Sequence, residues 1–307
     1  MFILKPIIKQ IIWGGERLGN EFNIGTKGEK QAEAWQLTCR EDGDNEIVSG
    51  ENKGKLLSEF LKDNPGAIGK KNSLSRFPLL IKLIDAKDDL SIQIHPDDEY
   101  ASIHTTDIGK TEMWYIVDCN EGAHLVYGLK EKYDRKTIEK AINEGNLESL
   151  VNYVPVHKGD VFFIPSNTVH AICKGILIAE IQQNSNITYR LYDYNRVGKD
   201  GKLRQLHIEN GLDCIERFDE NKITSKKYDD VISDNPFFKV IVKDVDSKYV
   251  LKTTKESFVH IMLLSGTLEL KDKKETLSVK KGDSIFVPAD DGEITMIGQG
   301  KIIISSL

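Results

Sequence analysis

Four residues whose side chains can bind a metal ion lie at the edges of predicted strands. Gln93 and His95 alternate with isoleucines along one strand, so their side chains point to the same face. Glu112 opens the following strand, and His170 comes after a Gly-Asp turn and a further strand. Because a β-barrel folds such segments together, two imidazoles, a carboxylate and an amide can converge on one interior point. Imidazole with carboxylate suits Zn²⁺, Fe²⁺ or Mn²⁺, and an open coordination position would let the ion polarise a substrate oxygen.

A histidine alone on a strand is usually an ordinary core or surface side chain. We apply that interpretation to the other five histidines of the chain, which are His104, His124, His157, His207 and His260. His95 and His170 differ because they belong to a turn-and-strand pattern that the chain uses twice.

That pattern is an eight-residue repeat. Residues 158–165 read KGDVFFIP, and residues 281–288 read KGDSIFVP. In each copy, Gly-Asp makes a tight turn into an apolar strand that ends at proline. A pair of strands precedes each copy, at 113–117 and 124–127 in the first and at 258–264 and 267–270 in the second. The repeat predicts one small β-barrel used twice, and the first barrel should hold the chemistry because the second has no counterpart of His170.

The elements around this repeat are mostly strands. Short apolar runs separated by Gly, Asp, Asn or Pro are typical of an all-β barrel or sandwich. The clearest runs are 78–84, 113–117, Val161–Ile164, 176–181, 258–264 and Ser284–Val287. Apolar spacing predicts three helices packed against the sheets, at residues 56–61, from Asp134 to Gly145, and at residues 208–215. We therefore expect a catalytic domain at residues 1–217, a connecting segment at 218–236 and a second barrel at 237–307.

Composition bounds the function. The chain has 307 residues, with 42 basic and 48 acidic side chains and a net charge of −6. This balance gives no reason to expect nucleic acid or an anionic membrane as partner. No apolar run approaches the roughly 20 residues of a membrane span, and no secretory signal is visible, so we expect a cytoplasmic protein. The four cysteines contain no CxxC pair, which predicts reduced, mostly buried thiols.

Several motifs together resemble one enzyme family. They are FPLLIKLIDAKDDLSIQIHPDDEYA at 77–101, GKTEMWYIVD at 109–118, KGDVFFIPSNTVHAI at 158–172 and AEIQQNSNITYRLYDYNR at 179–196. This set resembles type I mannose-6-phosphate isomerase in its short bacterial form, a cupin family, and the resemblance covers most of residues 1–215. It implies a double cupin with a few helices and agrees with the repeated barrel. One departure is Asn167, where the wider cupin motif prefers glycine, although asparagine tolerates the left-handed backbone conformation.

The resemblance also implies roles for individual residues. Gln93, His95, Glu112 and His170 would hold one zinc ion per chain. Arg190 matches the active-site arginine of the family, while Lys82, Ser91, Lys110 and Glu180 fall on positions around its pocket. Trp13, in a Trp-Gly-Gly motif of the family, is a further candidate for substrate binding. The expected partner is a small phosphosugar, and the protein would be a monomer or a homodimer.

The chemistry of such an enzyme needs a Lewis acid, a base and a cationic site for phosphate. Interconversion of mannose 6-phosphate and fructose 6-phosphate moves a proton between C1 and C2 through an enediol. Zinc would polarise the sugar oxygens. Arg190 could bind phosphate or enediolate or relay protons, and the base could be Glu180 or Lys110. The ordinary interpretations are an ion pair with Asp193 for Arg190 and a snorkelling side chain for Lys82.

Two other functions are compatible with a cupin barrel of this kind. An Fe²⁺-dependent dioxygenase shares the barrel and its histidines but does not need phosphate-binding cations. A non-catalytic sugar-binding cupin would bind sugar phosphate without converting it. Oxygen consumption would indicate the first of these, and deuterium exchange at C2 of the sugar would exclude the second.

Overall fold

Strands dominate the regular structure, as the short apolar runs predict. The structure is a computed structural model, and it describes residues 1–72, 76–198, 201–220 and 222–307. The strands up to residue 86 are β1 (Phe2–Lys5), β2 (Ile7–Lys9), β3 (Glu33–Leu37), β4 (Cys39–Arg40), β5 (Gly43–Asp44), β6 (Glu46–Ile47) and β7 (Leu79–Ala86). The next group is β8 (Ile92–Ile94), β9 (Glu112–Cys119), β10 (His124–Leu129), β11 (Val151–Pro155), β12 (Val161–Ile164), β13 (His170–Ile172), β14 (Ile176–Gln183) and β15 (Tyr189–Tyr192). The last group is β16 (Lys226–Tyr228), β17 (Val231–Asp234), β18 (Lys239–Val245), β19 (Lys248–Lys252), β20 (Val259–Lys271), β21 (Thr276–Lys280), β22 (Ser284–Val287) and β23 (Glu293–Ser306). The prediction of an all-β protein is confirmed.

Helices are short and few in the described residues. They are α1 (Arg17–Phe22), α2 (Leu57–Asp63), α3 (Asp98–His104), α4 (Arg135–Asn143) and α5 (Ile208–Glu216), with 3-10 turns at Pro65–Ile68 and Leu147–Ser149. The three helices expected from apolar spacing are present as α2, α4 and α5. The Asp134 side chain accepts a hydrogen bond from the Thr137 amide, which caps the start of α4. Helix α1 was not predicted, because its six residues carry too little apolar periodicity.

Contacts divide the chain into two compact units. The first comprises residues 1–9, 16–83 and 225–307, and the second comprises residues 10–15 and 84–224. This division differs from the expected limits at residues 217 and 236, because residues 1–9 and 16–83 group with the C-terminal segment. Those limits stay a prediction about the two barrels, and residue 221 of the expected connecting segment lies outside the described residues.

The second unit contains the predicted metal ligands. Its strands form a five-stranded sheet in the order β11-β10-β13-β8-β15 and an antiparallel group in the order β12-β9-β14. In the five-stranded sheet, Gln93 on β8 is the register partner of His170 on one side and of Arg190 on the other. On the other sheet, Glu112 pairs with Ile164. Helices α4 and α5 add apolar side chains such as Ile142 to the core of the five-stranded sheet.

The first unit is built on a ten-stranded sheet. Its main path runs β16-β17-β18-β23-β20-β22-β1-β6, with β19 on β23 and β21 on β20. Its largest apolar cluster includes residues such as Val259, Ile261, Ile285 and Val287. The four cysteines of the chain are free thiols, of which Cys173 and Cys214 are buried and Cys39 and Cys119 are partly buried.

One strand prediction in this unit was wrong. Residues 258–264 and 267–270 were expected to form two strands, but residues 259–271 form the single strand β20 instead. Gly266, between the two expected strands, has a left-handed φ of 81°. The register shifts between Leu263 and Ser265, so the strand bends there and continues rather than reversing.

Candidate metal centre and active site

Two histidines and a glutamate meet in the second unit as the spacing predicts. The Nε2 atoms of His95 and His170 are 3.1 Å apart. The Glu112 carboxylate lies 3.5 Å from Nε2 of His95 and 3.6 Å from Nε2 of His170. All three side chains are buried, and their ligand atoms lie within 4.8 Å of one another.

These spacings fit a metal ion of the zinc type. Ligand atoms about 2.0–2.2 Å from a tetrahedral ion stand roughly 3.3–3.6 Å from each other. The distances between the three side chains match that range to within a few tenths of an ångström. One carboxylate and two imidazoles together also form a set of oxygen and nitrogen donors that suits zinc, iron and manganese ions. The site can therefore hold a divalent ion, and His95, Glu112 and His170 would be its ligands.

The orientation of His170 is suited to this role. Its Nδ1 lies 2.8 Å from the carbonyl oxygen of Thr168, a position in which Nδ1–H donates. The Nε2 lone pair is then directed at the other ligands, which is how metal-binding histidines are commonly fixed. Burial, reinforced by the nearby Lys110 ammonium, lowers the pKa of His170 to about 4, so the imidazole is neutral at physiological pH.

Gln93 lies at the edge of the same cluster. The nitrogen of its side-chain amide is 3.4 Å from Nε2 of His170, and its oxygen is 3.4 Å from the hydroxyl of Ser91. Rotation of the amide group would present the oxygen to the cluster instead. The structure thus places Gln93 beside His170, and Ser91 beside Gln93.

Lys110 lies in direct contact with the ligand cluster. Its ammonium is 2.9 Å from the Glu112 carboxylate and 3.1 Å from Nε2 of His95. The side chain is buried, with 4% of its surface exposed. A buried ammonium next to a carboxylate is charge-compensated, which makes its burial tolerable. Lys110, one of the two candidate bases, thus contacts two of the predicted ligands.

The loop around Lys110 is held by a network that sequence reasoning missed. The Asp98 carboxylate accepts hydrogen bonds from the Gly109 amide at 2.9 Å and from the Gln183 side chain at 3.1 Å. The Gln183 side-chain oxygen accepts the amide of Thr111 at 2.8 Å. The amides on both sides of Lys110 are therefore fixed. Polar residues at the end of an apolar strand, QQNS at 182–185, were the available signal in the sequence.

Glu180 occupies a different place from Lys110. Its carboxylate is buried and accepts a hydrogen bond from the Trp114 indole at 2.9 Å. The Trp114 ring meets the His170 ring edge-on, with 5.4 Å between the ring centres. Glu180 is thus linked to the ligand cluster through Trp114.

Arg190 lies on β15, where it is the register partner of the predicted ligand Gln93. One terminal nitrogen of its guanidinium donates to the carbonyl oxygen of Gln205 at 2.8 Å, while its buried Nε has no hydrogen-bond partner among the described residues. Asp193, the expected ion-pair partner, is bound instead by Arg196 and Arg204. Burial, together with repulsion from Arg204, lowers the pKa of Arg190 below its ordinary value. The guanidinium thus retains donor capacity for an anionic ligand.

Trp13 and Lys82, the last two predicted site residues, make contacts within their own units. Trp13 belongs to the second unit and is buried, and its carbonyl oxygen accepts the amides of Lys87 and Asp88. Lys82 belongs to the first unit, where its ammonium lies 3.8 Å from Glu33 and 5.9 Å from the centre of the Trp35 ring. A role for either residue in substrate binding stays a prediction.

Comparison with known proteins bears on the identity of this site. The family described as "Phosphomannose isomerase type I, catalytic domain" matches residues 1–130, and "Mannose-6-phosphate isomerase, cupin domain" matches residues 230–307. A mannose-6-phosphate isomerase from Bacillus subtilis is 36% identical over 99% of this chain and 98% of its own length. The chain belongs to the type I phosphomannose isomerase family. Membership makes it an isomerase with a cupin fold, as the sequence motifs predict.

Further relatives of the type I phosphomannose isomerase family agree with this assignment. A mannose-6-phosphate isomerase from Streptococcus mutans is 35% identical over 94% of this chain and 92% of its own length. The crystal structure of the mannose 6-phosphate isomerase from Bacillus subtilis superposes with a TM-score of 0.88 at 32% identity, covering 100% of this chain and 99% of that one. None of the helices in the described ranges is long and apolar enough to cross a lipid bilayer.

Proposed function

We propose that the chain is a zinc-dependent aldose–ketose isomerase that interconverts mannose 6-phosphate and fructose 6-phosphate through an enediol. The observation that supports this most directly is the buried cluster of His95, Glu112 and His170, with the Lys110 ammonium in contact with two of its members. The family relationship supports the substrate, since the relatives are named for it.

Zinc held by His95, Glu112 and His170, with Gln93 as fourth ligand, would act as the Lewis acid for the sugar carbonyl and hydroxyl oxygens. The chain supplies the rest. Thr168 keeps the His170 imidazole in the tautomer that leaves Nε2 available. The buried surroundings exclude water, which strengthens every electrostatic interaction with an enediolate.

Proton transfer is assigned to Lys110. Its Nζ is 2.9 Å from a proposed ligand carboxylate, so a sugar bound at the ligands would lie within reach of this nitrogen. Glu180 accepts the Trp114 indole N–H and acts in this scheme by fixing the ring against His170. The fixed amides of Gly109 and Thr111 hold the loop in place.

Arg190 is assigned to the anionic part of the substrate. Its Nε lacks a protein partner within the described residues, and Arg196 and Arg204 lie close enough to share Asp193. Three guanidinium groups with one shared carboxylate leave a local surplus of positive charge. A phosphosugar or an enediolate would complete the hydrogen bonding of Arg190 in a charge-assisted way.

The test is conversion of mannose 6-phosphate by the zinc-reconstituted chain in deuterated water. We expect fructose 6-phosphate carrying solvent deuterium at C1, loss of turnover after chelation, and recovery on adding zinc. Deuterium at C1 would exclude a direct hydride shift from C2, because that shift exchanges no hydrogen with the solvent. A chain that holds stoichiometric zinc and still forms no fructose 6-phosphate would contradict the proposed reaction.

A further inference from the structure

The turn that follows strand β12 contacts both histidines of the metal cluster. Asn167 has a left-handed φ of 67°, and its backbone amide donates to the carbonyl oxygen of His95 at 2.7 Å. The next residue, Thr168, accepts the hydrogen bond from Nδ1 of His170. The position of this turn therefore sets the position of both imidazoles.

The Asn167 side chain connects the turn to a buried carboxylate. Its amide nitrogen donates to Oδ2 of Asp97 at 3.1 Å, and only 3% of Asn167 and 4% of Asp97 are exposed. Asp97 is itself fixed by the Tyr100 amide at 2.8 Å, by Arg217 at 3.2 Å and by Lys222 at 2.9 Å. The carboxylate lies two residues after His95 in the chain, so it anchors that segment as well as the turn.

The second copy of the repeat shows that the turn itself does not need this connection. Asp290 occupies the place of Asn167, with a left-handed φ of 62°. Its amide donates to the carbonyl oxygen of Thr254 at 2.9 Å, as the Asn167 amide does to His95. The Asp290 side chain is 60% exposed and lies 3.8 Å from Lys255. The same turn therefore forms where its side chain is not held by a buried group and where no histidine follows.

We infer that Asn167 and Asp97 form a positioning pair that holds His95 and His170 at the spacing the metal ion requires. The inference rests on the proposed metal site and adds residues outside the ligand set. Glycine at residue 167 would give the backbone conformation alone. Asparagine adds a hydrogen bond to a fixed, buried charge. Groups bonded directly to metal ligands contribute about 10–100-fold in metal affinity. The Asn167–Asp97 pair holds such a group, the Thr168 carbonyl, in place, so we expect an effect near the lower end of that range.

The experiment compares Asn167→Gly with Asp290→Gly. Both substitutions remove a side chain at a left-handed residue of the same turn, and glycine imposes no backbone strain at either. Zinc affinity is measured by competition with a chromophoric chelator, and the visible spectrum of the cobalt-substituted protein reports on ligand geometry. We expect Asn167→Gly to bind zinc roughly 10-fold or more weakly, with shifted cobalt bands. Asp290→Gly should match the unsubstituted protein in both measurements.

Thermal unfolding of the metal-free proteins separates positioning from folding. Similar unfolding temperatures for the two glycine variants, with weaker zinc binding only in Asn167→Gly, would support the inference. Asn167→Asp, which places a second carboxylate against Asp97, should weaken zinc binding as well. Zinc affinity of Asn167→Gly within twofold of the unsubstituted chain would overturn the positioning role, and so would a loss matched by an equal loss of metal-free stability. An unsubstituted chain that binds no zinc would instead remove the proposed metal function.

Discussion

Each side chain at the proposed active site has a distinct electrostatic task. The net charge of −6 describes the whole chain, whereas Lys110 contacts the predicted ligands and Arg196 and Arg204 gather around Asp193. Lys110 is compensated by Glu112, and Asp193 compensates two of the arginines. Arg190 keeps a donor without a protein partner among the described residues, which suits a small anion rather than a polyanion.

Substitution of His170 and of Arg190 should separate metal binding from substrate binding. His170→Ala removes an imidazole that faces two other ligands, so zinc and turnover should be lost together. Arg190→Ala leaves His95, Glu112 and His170 intact, so zinc should stay stoichiometric. We expect kcat/KM to fall by roughly 10–100-fold or more, because a charge-assisted hydrogen bond contributes about 1.5–3 kcal/mol.

The measurement pairs metal analysis with steady-state kinetics on the same preparations. Arg17→Ala is the matched control, since Arg17 lies in the first unit and pairs on the surface with Glu21. Its zinc content and kinetics should equal those of the unsubstituted chain. Zinc loss in Arg190→Ala would show that this arginine supports the metal site, contrary to the role assigned to it.

At the scale of elements, the two copies of the repeat differ at the position of the Glu112 carboxylate. Ile164, at the end of the first repeat strand, pairs with Glu112. Val287, at the same place in the second, pairs with Val259. The counterpart of the ligand carboxylate is thus an apolar side chain, and Val259 is part of the apolar core of the first unit. A metal ion without polar or charged ligands would not be stable among such side chains.

Local patterns were sufficient for elements whose periodicity continues over several residues. The strand Ser284–Val287 and helices α4 and α5 were recognisable because burial on one face leaves a regular apolar spacing. The pairing of β1 with β22 was not recognisable, because it joins the two ends of the chain and leaves no local signal. The ligand residues could be proposed only when the motifs were considered together. The contact of Lys110 with the proposed ligands could not be inferred from the sequence, because it depends on tertiary folding.

The bend in strand β20 gives a prediction about stability. A Cβ atom added at Gly266 would lie 2.0 Å from the carbonyl oxygen of Gln299, and the φ of 81° is unfavourable for alanine. Gly266→Ala should therefore lower the free energy of unfolding by about 2 kcal/mol or more, combining backbone strain of about 1–3 kcal/mol with the clash. Gly292→Ala is the control, because Gly292 has a φ of 94° with open space around it. Equal losses for the two variants in urea unfolding would show that the clash relaxes at no cost.

At the scale of the whole molecule, one buried histidine should make stability depend on pH. His260 is fully buried, and its Nε2 lies 2.8 Å from the Ser284 hydroxyl, which itself donates to the Gln36 carbonyl oxygen. Nε2–H therefore donates to Ser284. Nδ1 has no hydrogen-bond partner in the part of the chain that the structure describes, so its protonation would place an unpaired charge in the core. Burial accordingly lowers the pKa of His260 to about 3.

Stability should therefore fall as the solution is acidified below the pKa of a histidine in the unfolded chain, about 6.5. Between that value and about 3, the unfolded chain binds a proton at residue 260 that the folded chain does not, so unfolding becomes easier as pH decreases. At pH 5, proton binding at residue 260 should make the free energy of unfolding about 2 kcal/mol lower than at pH 7.

Urea unfolding of the zinc-loaded protein at both pH values measures this difference in the free energy of unfolding. His260→Gln, which cannot titrate, should remove about 2 kcal/mol of the difference, whereas the exposed-site variant His157→Gln should retain it. A His260→Gln protein with an unchanged pH dependence would mean that the folded core accepts the protonated imidazole.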